Sequence, residues 1–142
     1  MSEIITDKLT GKTSAGDVDV TSEGGAVTMQ LQQGLVKSWI NFNGTGTIAV
    51  RDSFNISGIV DEGTGFYTNN FTNSMGNTNY CLADGSVSGG TTRGTFLKDG
   101  SSATSYLASS FSGVLAVSDN STDGQTGSDI TFVNRMFMGD LA

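Results

Sequence analysis

The chain reads as all-β: an antiparallel β-sandwich or jelly-roll-like body behind a short N-terminal arm and a short helical neck. Three observations predict the body. Apolar and polar residues alternate in short runs such as Trp39–Phe42, Phe54–Ile59 and Phe66–Phe71, the period of a strand with one buried face. Asn43-Gly44, Asp84-Gly85, Asp99-Gly100 and Asp123-Gly124 punctuate those runs with the chemistry of tight hairpin turns. Proline is absent, where roughly seven are usual at this length. Positive-φ turns therefore fall to the 20 glycines and to Asn and Asp. A chain of 142 residues buries a core without disulfide staples.

The first residues differ from the rest. Ile4, Ile5 and Leu9 form a short, partly alternating run, and a turn-rich patch follows at 11–16. Val18 and Val20 alternate with Asp17 and Asp19 before Ser22-Glu23-Gly24-Gly25 closes the segment. Two such strands hold too few large side chains to make a core, so the segment needs a partner: the main domain or, favoured here, neighbouring copies or a larger assembly. Ile4, Ile5, Leu9, Val18 and Val20 are its candidate anchoring residues.

Residues 26–38 carry another pattern. Val27, Leu31 and Leu35 fall at i, i+4 and i+8 among Gln30, Gln32 and Gln33, a short helical stripe. A helix this short is marginal alone, and Gly34 weakens it by about 1 kcal/mol relative to alanine. Bundling around an axis would stabilise it and make Val27, Leu31 and Leu35 oligomerisation contacts. Packing on its own domain, or an extended neck, are the alternatives. The boundary between arm and body is placed at 36/37.

Within the body, strands are expected at 38–43, 47–52, 54–60, 65–71, 79–83, 94–97, 105–108, 113–117 and 129–138. The last ends in the apolar run Met136-Phe137-Met138, expected to cross the core or to make a subunit contact. Cys81, the one cysteine, is expected to be a small buried strand residue.

Chemistry narrows the function classes. With no histidine there is no Ser-His-Asp or Cys-His arrangement and no imidazole metal site. A two-carboxylate glycosidase remains, but neighbours such as Asp61 and Glu62 point to opposite faces of a strand, and the chain is read as non-enzymatic. A net charge of −7 with seven cations argues against a nucleic-acid face and against docking on anionic lipid. No run approaches the roughly 18 apolar residues of a membrane helix. Met1-Ser2-Glu3-Ile4 lacks the pattern of a signal peptide, so synthesis without export through that route is expected.

Asp119-Asn120-Ser121-Thr122-Asp123-Gly124 matches the front half of a calcium loop, but Ile130 stands where the bidentate Glu belongs, which favours an Asx-rich turn. No cofactor is expected. Phe66, Tyr67, Asn69, Asn70, Phe71, Asn73, Asn77, Asn79 and Tyr80 combine rings and amides suited to glycans, although the alternation of 66–71 is ordinary strand patterning. The Gly/Ser/Thr-rich loops 84–93, 98–105 and 119–128 are better candidates for contacting a receptor, with Asp84, Ser86, Arg93, Lys98, Asp119 and Asp123 as the residues to watch.

The stretch W-I-N-F-N-G-T-G-T-I-A-V-R-D-S-F-N-I-S from Trp39, followed by D-E-G-T-G-F-Y-T-N-N-F-T from Asp61, resembles a domain that recurs in tail-fibre and other virion proteins of bacteriophages, notably phages of marine bacteria. The opening Ile5-Thr6-Asp7-Lys8-Leu9-Thr10-Gly11 also resembles the short anchoring start of such proteins. The resemblance implies a homotrimeric short tail fibre in the virion. Its arm would dock on another tail, neck or capsid protein, and its β-body would meet host-surface polysaccharide. A capsid or neck decoration protein is the alternative. It supplies no catalytic residues.

Overall fold

The computed structural model describes residues 3–12, 14, 18–25, 27–87, 95–98, 104–118 and 125–142, without the side chains of 95–98, 117, 118, 125 and 126. The chain forms two compact units, Met1–Leu35 and Val36–Ala142.

In the first unit, β1 (Asp19–Thr21) and β2 (Thr28–Gln30) pair antiparallel, Asp19 opposite Gln30 and Thr21 opposite Thr28. The Ser22 N–H donates to the Val27 carbonyl, and Gly25, at φ 69°, donates to the Ser22 carbonyl, which closes the hairpin. A 3-10 turn follows at Leu31–Gly34. The helical neck expected on Val27, Leu31 and Leu35 is thus replaced by a strand and one tight turn. The Leu31 N–H donates to the Val18 carbonyl across the hairpin instead of to its own preceding turn. Nucleating an isolated helix is unfavourable, and β-branched Val27 and Thr28 suit a strand. Residues 4–9 form no strand, and no described residue of this unit is buried.

The second unit is a sandwich of two antiparallel sheets. One has four strands in the order β4 (Ala49–Phe54), β3 (Ser38–Asn43), β12 (Val133–Met138) and β7 (Cys81–Asp84). The other is built on the long strand β10 (Ser110–Ser118). Its partners are β6 (Phe66–Phe71), β8 (Thr95–Lys98), β9 (Ser105–Tyr106) and β11 (Gln125–Gly127), and β5 (Ile56–Gly63) lies beyond β6. Val114 lies opposite both Phe66 and Lys98, and Ser112 opposite both Thr68 and Ser105, so β6 occupies one edge of β10 while β8 and β9 share the other.

The expected strand 38–43 has the bounds of β3. The final strand begins at Val133 rather than at 129, because Ile130 and Asp129 are used locally: Gly44 N–H donates to the Ile130 carbonyl, and Asp129 accepts from Gly65 N–H and the Tyr67 hydroxyl. The short strand β11 was not foreseen.

Inward residues of the two sheets meet in two clusters. Ile40, Phe42 and Val133 face Tyr67, Leu115 and Ile130 in the first. Phe137 meets Phe71, Phe111, Met75 and Tyr80 in the second. The Phe42–Tyr67 and Phe71–Phe137 rings pack edge to face at 5.1 and 5.0 Å. Gly44 admits the Tyr67 hydroxyl, which a Cβ would strike.

Two polar devices join the layers. Arg135, 1% exposed, points inward with Val133 and Phe137. Its Nε lies 3.1 Å from Asp84 Oδ2, and its terminal nitrogens donate to Asn69 Oδ1 at 2.8 Å and to the Gly113 carbonyl at 3.2 Å. Burial pushes the guanidinium pKa down and Asp84 pulls it back up. Where β4 gives way to β5, Asn55 takes the left-handed conformation at φ 57°. Its Nδ2 donates to the Lys37 and Asn73 carbonyls and its Oδ1 accepts from Asn73 N–H, so one side chain ties three segments at the corner.

Candidate functional site

The outward face of the four-stranded sheet carries a continuous set of side chains not covered by the other sheet. Ser38, Ile40 and Phe42 point inward, so Trp39, Asn41 and Asn43 point outward. Register extends that face across the sheet. Trp39 lies opposite Phe54 on one side and Met136 on the other, and Met136 lies opposite Ala83. This is an apolar row, with Phe54 53% and Met136 45% exposed.

A polar row runs beside it. Asn41 lies opposite Asp52 and Asn134. The Asn41 amide donates to Asn134 Oδ1, and Asn134 Nδ2 donates to the Gly85 carbonyl at 3.3 Å. Asp52 lies opposite Asn41 and Val50 opposite Phe42, which leaves Arg51 as the extra residue of a bulge. A bulge re-aims a side chain. Here Arg51 donates to Asn41 Oδ1 at 3.3 Å and to the Thr131 carbonyl at 2.8 Å, and its Cζ stands 4.3 Å from the centroid of the Phe132 ring. Between the rows lies a shallow depression of about 380 Å³ lined by Trp39, Asn41, Ala83, Asp84, Asn134 and Met136.

Elsewhere in the body two tyrosine phenols serve the core. Burial, then the accepting carboxylate of Asp129, raises the Tyr67 phenol above its usual range, and burial with neighbouring Tyr106 does the same for Tyr80. The Tyr67 hydroxyl donates toward the Gly44 carbonyl at 2.9 Å and Asp129 at 3.0 Å, and Tyr80 toward the Leu107 and Ser110 carbonyls. Among the described residues, no three of His, Cys, Asp or Glu gather as a metal site.

The residues singled out from sequence fall in several places. Asp84 is half-buried and paired with Arg135, and its Oδ1 accepts from the Ser86 N–H and hydroxyl. Ser86 is itself buried. Both are therefore tied into the body. Lys98 lies in β8 opposite Val114, while Arg93, Asp119 and Asp123, with the 119–124 loop, lie outside the described residues. Ile4, Ile5, Leu9, Val20, Val27 and Leu35 are exposed, and Val18 and Leu31 half-buried.

Of the aromatic–amide set, Tyr67, Asn69, Phe71 and Tyr80 are buried and cannot meet a glycan. Cys81, expected inside, is exposed, because its register partner Met138 belongs to the outward set and Tyr80 takes the core position. The Met136-Phe137-Met138 run likewise divides, Phe137 buried and Met136 outward. Trp39, Asn41, Asn134, Arg51, Phe54, Phe132 and Met136 are not among the candidate residues that the sequence offers. Met136 joins the face only through its pairing with Trp39 on another strand, and no sequence signal marks the bulge that redirects Arg51.

No protein-family model, curated protein or solved structure matches this chain. Among the described residues no helix is long and apolar enough to cross a membrane.

Proposed function

We propose that the chain is a structural protein of a bacteriophage particle, a short tail fibre without catalytic activity. Its β-body meets the host surface and its N-terminal unit attaches to another virion protein. The observation that carries this reading is the division of labour in burial. The body closes two core clusters of its own, whereas the N-terminal unit leaves Ile4, Ile5 and Leu9 at 87%, 86% and 60% exposure. Apolar side chains left uncovered on residues 4–9, and on the hairpin at Val20 and Met29, suit a surface completed by a partner. The likeness of residues 37–80 to tail-fibre domains supports the same reading. In it, three copies sit on a symmetric platform.

A decoration protein of the capsid or neck is the second reading. It is favoured by the strand and 3-10 turn at Thr28–Gly34, which remove the helical stalk on which a free-standing fibre would have trimerised.

Immunogold labelling of purified particles with antiserum against the chain, paired with an adsorption assay, tests both. Label at the tail tip with blocked adsorption supports the fibre. Label on the shell or neck with adsorption intact establishes the decoration role instead. Unlabelled particles reject both. Light scattering of the pure chain over a dilution series then reads self-trimerisation directly, as a mass near three chains.

A further inference from the structure

We propose that the outward face of the four-stranded sheet is a binding site for a neutral oligosaccharide of a few sugar rings, with Trp39, Phe54 and Met136 as the stacking shelf and Asn41 and Asn134 as the hydroxyl readers. The inference deepens the reading of the body as a host-surface binding module. It places the contact on the sheet rather than on the distal loops.

A pyranose ring has an apolar C–H face and a rim of hydroxyls, each both donor and acceptor. It is held by a flat apolar surface with amides alongside. The Phe54–Trp39–Met136–Ala83 row supplies that surface across four strands. The Asn41–Asn134 row runs parallel to it two residues along each strand, roughly 7 Å away, about the width of one ring. Each amide retains hydrogen-bonding capacity beyond the bonds described, since a primary amide offers two donors and two acceptor sites.

The amides are also held in place. The chain of bonds Arg51 to Asn41 to Asn134 to the Gly85 carbonyl spans the sheet, so little side-chain freedom is left to lose on binding. The depression of about 380 Å³ lies at the lower end of the usual range for small-molecule sites.

Charge selects against an acidic ligand. Arg51 keeps its charge but is matched by Asp52 beside it, Asp84 is paired with Arg135, and the chain carries −7 overall. Such a field repels anions.

The sole tryptophan lies on this face, so its emission reports occupancy. The full chain is titrated to millimolar concentration with neutral gluco-, manno-, galacto- and N-acetylglucosamine oligomers of two to six rings, following Trp39 fluorescence and heat. The expected result is a saturable emission change with at least one series. Affinity should fall tenfold or more in Met136→Glu and in Phe54→Ser, both at exposed positions that leave the fold intact. Val60→Ser, on the outer side of the other sheet, should bind as the parent does.

Absence of binding across the panel overturns the proposal. So does binding that both face variants retain, which would return the contact to the loops. An emission shift with protein concentration alone, accompanied by a rise in mass, also overturns it and assigns the face to a second copy. Particles that label with antiserum while the chain binds no saccharide would reject this site and keep the virion role.

Discussion

The N-terminal hairpin and the sheet at the heart of the body use similar residues to opposite ends. β1 and β2 alternate Val20 and Met29 with polar neighbours, as β3 alternates Ile40 and Phe42. Yet Val20 and Met29 are 45% and 54% exposed, whereas Ile40 and Phe42 are 1% and 0%. A two-stranded ribbon has no second layer to bury its apolar face, and alone it is marginal in water. Alternation therefore specifies a strand but not a core. What makes a core is an opposing sheet carrying rings at the right height, such as Tyr67 and Phe111. In the body the apolar residues make internal order, and in the hairpin they stay at the surface.

Substitutions can break that comparison, and the largest effects belong to the body. Asp84→Ala leaves the Arg135 guanidinium buried without its counter-charge and is expected to cost about 3–5 kcal/mol in urea unfolding. Adding Arg135→Met should recover much of that loss, because a buried pair replaced by a well-packed apolar group is often neutral. A single-variant cost below about 1 kcal/mol would show that the pair does not hold the layers together.

Phe137→Ala, which removes the ring at the centre of the second cluster, is expected to cost about 3–5 kcal/mol by the same measurement. Asn55 separates strain from clamping. Asn55→Gly keeps the left-handed backbone and loses the ties to Lys37 and Asn73. Asn55→Ala loses both and should be the worse by roughly 1–2 kcal/mol.

Alkali sharpens the comparison from another side, since the first unit has no tyrosine. The folded body holds the Tyr67 and Tyr80 protons above the ordinary phenol value of 10.0. Above that value the unfolded chain has released protons that the native chain retains, so unfolding free energy falls as pH rises. These groups leave stability unchanged below about pH 10. Beyond it, loss of near-ultraviolet circular dichroism from the body is expected, and Tyr67→Phe should move its onset upward.

The smallest effect is expected in the hairpin. Val20→Ser with Met29→Ser should alter the unfolding of the body by no more than about 0.5 kcal/mol, as exposed substitutions do. In the proposed virion role the same pair should lower incorporation into particles. A large drop in body stability would show that these side chains are not free.

How far these features are legible in sequence varies with their range. Alternation and Asn-Gly or Asp-Gly turns locate the strands of the body because both are local. The Val27, Leu31 and Leu35 spacing misled because three apolar residues four apart also fit a strand leading into a 3-10 turn, and partners at Asp19–Thr21 decided between them. Arg135 lies among residues apolar on both faces, so parity does not announce that the cation points inward. Its burial depends on Asp84, Asn69 and Gly113, brought together only by the fold. The candidate face is similarly divided. Trp39 and Asn41 stand out in the chain, but their partners Met136 and Asn134 come from its far side, and Arg51 arrives through a bulge.

The pairing of β3 with β12 also sets a timetable. Asn41 and Asn134, joined across that pair, are 93 residues apart. On the ribosome, β3 and β4 can form a hairpin early. The inward faces of Ile40 and Phe42 must then wait, because the strand that places Val133 and Phe137 beside them follows the other strands of the sandwich in the chain. Such long-range closure folds slowly and leaves apolar strands uncovered meanwhile. Yield during synthesis should therefore depend on chaperone capacity more than the stability of the finished sandwich would suggest.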